Sequence, residues 1–321
     1  MLPNFSYVRP NSLSEAVRET ATGGTVHAGG TDLLGCLRDG VFTTEKIVSL
    51  QALTALRGIR ETESGLSIGA LTTLSEIADH RVVRDAFPAL AQGAAAAASP
   101  QLRNQGTIGG NICQRPRCWY FRADFHCLRK GGDQCYAVDG ENEFHCILGG
   151  SGCYVVHPSD TAPALVALDA QIRIVGPKGK RSVPAESFFV LPTKDPTKET
   201  VLQSGEIVTE IFVPRLPGAR SSYRKVRARG AWDFALAGVA LVLRVNDKQL
   251  VEQCRVVLSG VAPIPWRAHA AERKLLGQKL EDATISEAAK AATDGAAPLS
   301  QNAYKIDLVR GIVEESLSVL V

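Results

Sequence analysis

The stretch VHAGGTDLLGCLRDG, residues 26–40, decides how the N-terminal part of this chain folds. A β-branched start, a Gly-Gly turn and Thr-Asp before an apolar run predict a strand, a tight turn and the beginning of a helix. Glycine lets backbone amides approach a ligand without an intervening Cβ, and it tolerates a positive φ. Because successive amides that face one point bind anions, this turn is suited to a pyrophosphate group.

A second glycine-rich loop, QLRNQGTIGGNI (101–112), has the same character. Thr31 in the first loop and Thr107 in the second add hydroxyl donors. Neither loop has the spacing of a Walker motif or of GxGxxG, so P-loop and Rossmann sites are disfavoured. Either loop alone is more typical of an ordinary β-turn. Two of them, each after a predicted strand in one domain, favour a common ligand site.

Helix and strand signals alternate around the two loops, which predicts an α+β fold. A composition shift near LPGARSSYRKV (216–226) marks a domain boundary, so we expect domains at 1–216 and 217–321. In the first domain we expect a helix at 14–20, a strand within 65–74 that leads into a capping box at Thr73–Glu76, a helical stretch at 81–103, and a helix followed by a strand in 157–175. In the second we expect strands in FALAGVALVLRV and QCRVVLSGVA and helices at 267–278 and 305–320.

The composition of the whole chain excludes several function classes. With 321 residues, 45% hydrophobic and 21% charged, it is typical of a folded globular protein. A net charge of +3 without basic runs, and only 6% aromatic residues, argue against nucleic acid as a partner. No apolar run reaches the roughly 18 residues that span a bilayer, and the N-terminal residues MLPNFSYVRPNSLSEAV lack the basic region and apolar stretch of a secretory signal. We therefore expect a cytoplasmic protein, or one exported together with a signal-bearing partner subunit.

The segment from Cys113 to Cys153 holds six of the eight cysteines. It has no apolar surplus with which to build its own core, so a metal or a crosslink must order it. Disulfides require an oxidising compartment, and structural zinc usually shows closely spaced CxxC pairs, which are absent here. An iron–sulfur cluster accepts wider spacing between its four thiolates. From the residues alone, all three explanations stay open.

Taken together, four motifs resemble the FAD-binding medium subunits of the molybdenum hydroxylases, such as xanthine dehydrogenase, carbon monoxide dehydrogenase and bacterial aldehyde oxidoreductases. In chain order they are AGGTDLL, GTIGGNI, PSDTAPAL and YRKVRARGAWDFALAGVAL. The resemblance covers essentially the whole chain. It implies a two-part, PCMH-type FAD-binding domain with a cysteine-rich insertion at 113–156, followed by a small α+β domain with a short antiparallel sheet and helices.

The resemblance also implies a FAD site. The first loop would wrap the pyrophosphate through its amides, and the second would form the opposite wall. A carboxylate in the PSD motif would hydrogen-bond the ribityl or ribose hydroxyls, and a leucine and a lysine would lie near the flavin. The implied residues are His27, Ala28, Gly29, Gly30, Thr31, Asp32, Leu33, Leu34, Thr107, Gly109, Gly110, Asn111, Asp160, Leu202 and Lys225.

The cysteine-rich insertion resembles the one found in a subset of these subunits that carry an extra 4Fe–4S cluster. That subset includes the 4-hydroxybenzoyl-CoA reductase β subunit and clustered flavin subunits of molybdenum aldehyde oxidoreductases. The matched ligands are Cys118, Cys127, Cys135 and Cys153. Cys113 is expected to act as a small hydrophobe and Cys146 to begin a short strand, so neither is expected to bind iron.

The function implied is electron transfer within a larger enzyme. A large molybdopterin subunit would bind the substrate, an aldehyde or an aromatic or heterocyclic compound, and a small subunit would carry 2Fe–2S clusters. FAD and the extra cluster would relay electrons to or from an external partner such as a ferredoxin. No residue is expected to be catalytic, and the chain alone is expected to be inactive. Four histidines are expected to be structural or surface residues: His80, His126, His145 and His157. The alternatives are a 4-hydroxybenzoyl-CoA reductase β subunit that runs reductively and a non-enzymatic scaffold with structural zinc.

Overall fold

A three-stranded parallel sheet forms the N-terminal part of the computed structural model, which describes residues 2–320. Strand Lys46–Ser49 lies in the middle, between Ser6–Val8 and Thr25–His27. Helix Leu13–Ala21 is capped by Ser12, whose side chain accepts a hydrogen bond from the Glu15 amide. The helix Leu33–Arg38 follows the strand Thr25–His27 and the first glycine loop, as expected.

A five-stranded antiparallel sheet carries the rest of the first half. In spatial order its strands are Ile59–Thr62, Gly65–Gly69, Ile207–Pro214, Gln171–Gly176 and Gly179–Pro184. The chain leaves this sheet at Gly69 and returns at Gln171, so the helices and the cysteine-rich insertion are inserted between two sheet strands. The main core lies between this sheet and the helices Leu74–Asp79, Arg81–Ala86, Pro88–Ala96, Ile108–Ile112, Thr161–Ala167 and Ala185–Phe188.

The helical stretch expected at 81–103 is broken into three helices: Arg81–Ala86, Pro88–Ala96 and Pro100–Arg103. Proline begins the second and the third of them, because its ring disfavours a helical conformation in the preceding residue. Ala98, between them, has a φ of 47°. Within the alanine run 94–98 only the first three residues are helical, and that helix is closely packed, since a Cβ at Gly93 would lie 2.6 Å from the Asp160 carbonyl oxygen.

The C-terminal half is a four-stranded antiparallel sheet with helices packed on it, in agreement with the α+β class. The strands are, in spatial order, Trp266–Arg267, Val251–Ser259, Ala237–Val245 and Arg220–Val226. Helices His269–Leu275 and Tyr304–Leu320 correspond to the two expected ones. The helix Asp282–Ala291 was not predicted, because its alanines form a small and weak apolar stripe. None of the helices in the described part of the chain combines the length and hydropathy needed to cross a bilayer.

The cysteine-rich insertion is mostly irregular. Its regular pieces are the helix Trp119–Arg122 and the 3-10 turn Leu128–Lys130. The strand expected at Cys146 does not form; instead the amides of Ile147 and Leu148 both donate to the Val261 carbonyl at 3.0 Å. These two side chains are buried in the C-terminal core, so the insertion is fixed by docking on another domain rather than by its own sheet.

Polar contacts from the C-terminal half complete this docking. Asn142 accepts from the Gln301 amide at 2.9 Å, and its side-chain nitrogen donates to Ser300 Oγ at 3.0 Å. Lys305 is fully buried, and its Nζ donates to the carbonyls of Phe144 and Gly260 at 3.1 and 2.7 Å. A buried ammonium that bonds two loop carbonyls holds those loops at a fixed separation.

Candidate functional site

The first glycine loop presents a row of free backbone amides. Among residues 2–320, the amides from Gly29 to Leu33 find no acceptor. Gly30 has a φ of 72°, in the left-handed region that glycine adopts without strain. Consecutive amides that point away from the protein form the kind of concave donor set that binds an anion. Leu34, at the end of the loop, is 38% exposed.

The second glycine loop packs directly on the first. A Cβ at Gly29 would lie 1.9 Å from the Gln105 carbonyl oxygen, so a side chain there would push the loops apart. Gly109 is equally constrained, because its Cβ would meet Ala70 at 2.9 Å. Thr107 caps the following helix and accepts from the Gly110 amide at 3.2 Å. Gly110 itself is exposed, and a Cβ there would meet nothing but Thr107 Oγ1, so this side of the loop is open.

Asn111 connects the second loop to the PSD turn. Its Oδ1 accepts hydrogen bonds from Ser159 Oγ at 2.5 Å and from Thr161 Oγ1 at 2.6 Å. Ser159 Oγ also accepts from the Ala162 amide and so caps the helix Thr161–Ala167. The loop and the turn are therefore one rigid unit. The sequence gives no signal for these bonds, because their partners are about 50 residues apart.

Asp160 and Lys225 form a buried ion pair. Lys225 Nζ lies 2.9 Å from Asp160 Oδ2, and the two side chains are only 4% and 6% exposed. The Tyr223 hydroxyl donates to Asp160 Oδ1 at 2.7 Å and also contacts Ser259. Burial raises the pKa of the Asp160 carboxyl, while Lys225 and Tyr223 oppose that rise. Both sequence-predicted residues are thus brought together, each as the other's partner.

A cavity of about 190 Å³ lies where the PSD turn, the cysteine-rich insertion and a C-terminal loop meet. Asp160 lines it, and the glycine loops and Lys225 do not. Leu202 packs against the core of the first domain instead. The principal walls are Arg117–Trp119, Phe144, His145, 156–160, 233–236, Ser259 and Gly260. The C-terminal loop was not predicted as part of a site, although it belongs to the fourth family motif.

The insertion is tied to the first glycine loop through Asp32. This carboxylate pairs with Arg117 at 2.9 Å and with Arg122 at 2.8 Å, and it accepts from the Arg115 amide at 2.7 Å. Arg117 also lies over the Phe234 ring, 5.2 Å from its centroid. The Asp32 side chain therefore faces the insertion, which leaves the backbone amide of this residue to the free row described above.

The four cysteines singled out from the sequence line one small cavity, of about 10 Å³. Cys113 and Cys146 do not line it: Cys113 packs against the first-domain core, and Cys146 is fully buried. In the described part of the chain, no three His, Cys, Asp or Glu side chains converge closely enough to hold a single metal ion. The remaining walls are Tyr120, Phe121, Leu128, Arg129, Tyr136, His145 and Val155.

Burial and one cation dominate the electrostatics around these thiols. Burial raises the pKa of the Cys118 thiol to about 12, so this thiol is protonated in the absence of a bound cation. Arg129, 3% exposed, lies near Cys153 and forms an ion pair with Glu199 at 2.8 Å. A guanidinium at this depth favours negative charge on the neighbouring sulfur.

The two cavities share one wall. Cys118 and His145 line both of them, and His145 Nε2 lies 3.3 Å from Cys118 Sγ. Burial lowers the pKa of His145 to about 4 and that of His157, which lines the larger cavity, to about 3. Two of the four histidines expected to be structural are thus neutral cavity residues at physiological pH. Only their chain positions were visible in the sequence.

Comparisons with known proteins cover both halves of the chain. Residues 3–216 match the FAD binding domain in molybdopterin dehydrogenase, and residues 221–318 match the CO dehydrogenase flavoprotein C-terminal domain. The chain is 36% identical over 317 residues to the aldehyde oxidoreductase FAD-binding subunit PaoB of Escherichia coli, with 95% of each chain covered. It is 31% identical over 329 residues to the carbon monoxide dehydrogenase medium chain of Hydrogenophaga pseudoflava, with 98% of this chain and 96% of that one covered.

A solved structure of the carbon monoxide dehydrogenase from Hydrogenophaga pseudoflava, in a form that lacks the Mo-pyranopterin moiety of its molybdenum cofactor, has a similar fold. The TM-score is 0.80 at 29% identity, and the match covers 100% of this chain and 98% of that chain.

Proposed function

The chain belongs to the family of FAD-binding subunits of molybdopterin dehydrogenases, and on that premise we propose that it carries FAD and a 4Fe–4S cluster as the electron-transfer subunit of a heteromeric molybdenum hydroxylase. The observation that carries the proposal is the placement of four thiols. Cys118, Cys127, Cys135 and Cys153 line one cavity, and that cavity shares a wall with the larger one beside the PSD turn. Two neighbouring redox centres require such an arrangement.

The FAD part of the proposal rests on the glycine loops. A row of unpaired amides from Gly29 to Leu33 suits a pyrophosphate, and the open side of Gly110 is a cradle that a Cβ would fill. The remaining residues of the first loop, His27 and Ala28, would complete its contact with the dinucleotide. Thr107, Gly109 and Asn111 would form the second wall, mainly through its shape, because their own polar groups bond within the chain.

The flavin end of the site would lie at Asp160. This carboxylate lines the larger cavity, so it can accept hydrogen bonds from ribityl or ribose hydroxyls while Lys225 balances its charge. Leu202 would pack near the flavin. Arg117, Trp119 and Phe234 supply the opposite walls, and their aromatic and planar surfaces suit a flat ring.

The cluster part rests on the chemistry of the donor set. Each thiolate of a 4Fe–4S cluster binds a different iron, so its thiols stand farther apart than the ligands of one ion. Four thiols around one cavity, with a buried arginine beside them, suit this geometry and its negative charge. The cavity is smaller than a cluster, so the thiols would move outward on assembly. The irregular backbone of the insertion, with few ladder bonds to break, permits that movement.

When bound, FAD exchanges one or two electrons at a time and the cluster exchanges one. The residues of this chain would hold and orient the two groups. The Asp32 pairs with Arg117 and Arg122 hold the pyrophosphate loop against the insertion. Lys305 holds the insertion against the C-terminal half. These contacts would limit changes in the distance between the two groups.

The substrate would bind on another subunit. We propose a large molybdopterin subunit and a small 2Fe–2S subunit as partners, a ferredoxin-like protein as the external partner, and the cytoplasm as the compartment. The 36% identity to an aldehyde oxidoreductase subunit favours an aldehyde as the substrate class. In the alternative, a reductive reaction on an aromatic thioester, this chain would serve as the same electron-transfer subunit with the electron flow reversed.

Cofactor analysis tests the proposal. The chain, purified without oxygen, should contain one FAD and four iron atoms per polypeptide, and its visible spectrum should show both flavin and cluster absorption. A colourless protein with stoichiometric zinc would contradict the proposal and favour a scaffold. Flavin without iron would contradict the cluster part alone.

A serine series tests the ligand set. Replacing Cys118, Cys127, Cys135 or Cys153 by Ser, one at a time, should remove or convert the cluster while the flavin stays bound. The matched controls Cys113→Ser and Cys146→Ser should keep all four irons, because neither residue lines the small cavity. Iron counting and electron paramagnetic resonance would compare the six variants. Cluster loss in Cys146→Ser, with Cys153→Ser unaffected, would show that the ligand set is wrong.

A further inference from the structure

His145 stands between the two cavities. It and Cys118 are the residues that line both, and its ring is 4% exposed. Its Nε2 lies 3.3 Å from Cys118 Sγ, which is within the hydrogen-bond distance for sulfur. The sequence marks His145 only as a lone histidine near a cysteine, and none of the family motifs quoted above includes it.

We propose that His145 is a positioning residue that raises the reduction potential of the cluster by donating an Nε2–H hydrogen bond to Cys118. The proposal rests on the proposed function, because it requires a cluster on Cys118. An iron-bound thiolate carries no proton and can only accept, so the contact is favourable only if His145 is the donor. A hydrogen bond to a ligand sulfur stabilises the more negative, reduced state and shifts the potential upward.

The surroundings hold this ring in place from both sides. The His145 amide donates to the Asn142 carbonyl at 3.0 Å, and the His145 carbonyl accepts from Asn302 Nδ2 at 3.1 Å. On the insertion side, the rings of Trp119 and Tyr120 lie 6.1 and 6.2 Å from it. The backbone of His145 is therefore held by the C-terminal half as well as by the insertion, and its ring packs beside two aromatic rings of the insertion.

The other ring nitrogen is consistent with this role. Nδ1 is buried and has no hydrogen-bond partner within residues 2–320. A buried polar atom without a partner is unfavourable, and an apolar side chain at this position would avoid it. The hydrogen bond from Nε2 to sulfur supplies a reason for a histidine here.

A redox titration of the cluster-loaded protein, followed by electron paramagnetic resonance, tests the proposal. His145→Phe keeps a ring but removes the donor, and its midpoint potential should shift to a more negative value. His145→Gln, which retains an N–H donor, should return the potential toward that of the unmodified protein. The matched control is His126→Phe, in the same insertion but exposed and outside both cavities, and its potential should not change.

Each outcome bears on one of the two proposals. An unchanged potential in His145→Phe, with full iron content, would overturn the role of His145 and leave the proposed function intact. Absence of iron from the unmodified protein would overturn the proposed function itself. If His145→Phe does not assemble the cluster, electron–nuclear double resonance on the unmodified protein with ¹⁵N-labelled histidine decides the question. A histidine nitrogen and one exchangeable proton should couple to the reduced cluster, and the absence of both couplings would overturn the role.

Discussion

Replacing Lys225 by Met should destabilise the flavin-free protein strongly and in a pH-dependent way. The substitution keeps the length of the side chain and leaves the Asp160 carboxylate, 6% exposed, with Tyr223 as its nearest remaining donor. Breaking a buried pair from one side typically costs 3–5 kcal/mol, and because one hydrogen bond survives we expect about 3 kcal/mol. At roughly 2–4 °C per kcal/mol, the melting temperature should fall by roughly 6–12 °C.

The pH dependence follows from the pKa of Asp160. Burial already raises this pKa above its ordinary value of 3.8, and removing Lys225 removes a group that opposes the rise. A carboxyl whose pKa is higher in the folded than in the unfolded state stabilises the fold at low pH and loses that contribution as the pH rises through the folded-state pKa. The destabilisation of Lys225→Met should therefore be larger at pH 8 than at pH 5.

Denaturant unfolding of the flavin-free chain at both pH values measures the effect, since bound FAD would mask it by mass action. The double variant Asp160→Asn, Lys225→Met should recover most of the loss, because the buried charge is gone and Tyr223 keeps an acceptor. Lys248→Met, at an exposed position, is the control and should change the free energy of unfolding by less than about 0.5 kcal/mol. A loss below about 1 kcal/mol in the single variant, or no recovery in the double, would refute the reasoning.

Two further predictions concern the flavin and the subunit assignment. Gly110→Val should weaken FAD binding at least about tenfold, because the branched side chain fills the open side of the second loop. The control Gly311→Ala, also in open space, should leave the flavin content unchanged. Equal FAD content in both purified proteins would show that the site is wrongly placed. The isolated subunit should not hydroxylate any aldehyde, purine or other heterocycle, since no described group of this chain is proposed to act on substrate; steady-state turnover by the chain alone would contradict its role as an electron-transfer subunit.

Local chemistry accounts for what could be predicted from the sequence. The Thr73–Glu76 capping box, the strand and turn before Gly29, and the helix after Asp160 all formed as expected, because each depends on residues within a few positions of one another. The prediction of one helical stretch at 81–103 was wrong for a local reason too. Pro88 and Pro100 each begin a new helix and interrupt the stretch. The four cysteines taken from the family resemblance line one cavity, and their role as iron ligands stays a prediction.

Contacts between distant residues account for what was missed. Asp32 was expected to contact the ligand through its backbone amide, which stays a prediction; what was not foreseen is that its carboxylate pairs with Arg117 and Arg122, because nothing in the local sequence couples positions about 90 residues apart. The contact between His145 and Cys118 was also not foreseen, because the two residues are 27 positions apart in the sequence. Lone charged and imidazole side chains acquire a role only from the partners that the fold supplies.

These distant contacts also show how an irregular insertion can be held in place, as the proposed cluster would require. The insertion buries few apolar side chains of its own, but it is bonded at one end to the pyrophosphate loop through Asp32 and at the other to the C-terminal half through Asn142 and Lys305. Each anchor is a charged or multiply bonded group at a buried or half-buried position, where such bonds are strong and directional. These anchors hold the insertion on both sides of the wall that Cys118 and His145 form between the two cavities. Electron transfer depends steeply on distance, so this wall is where rigidity matters most to the proposed function.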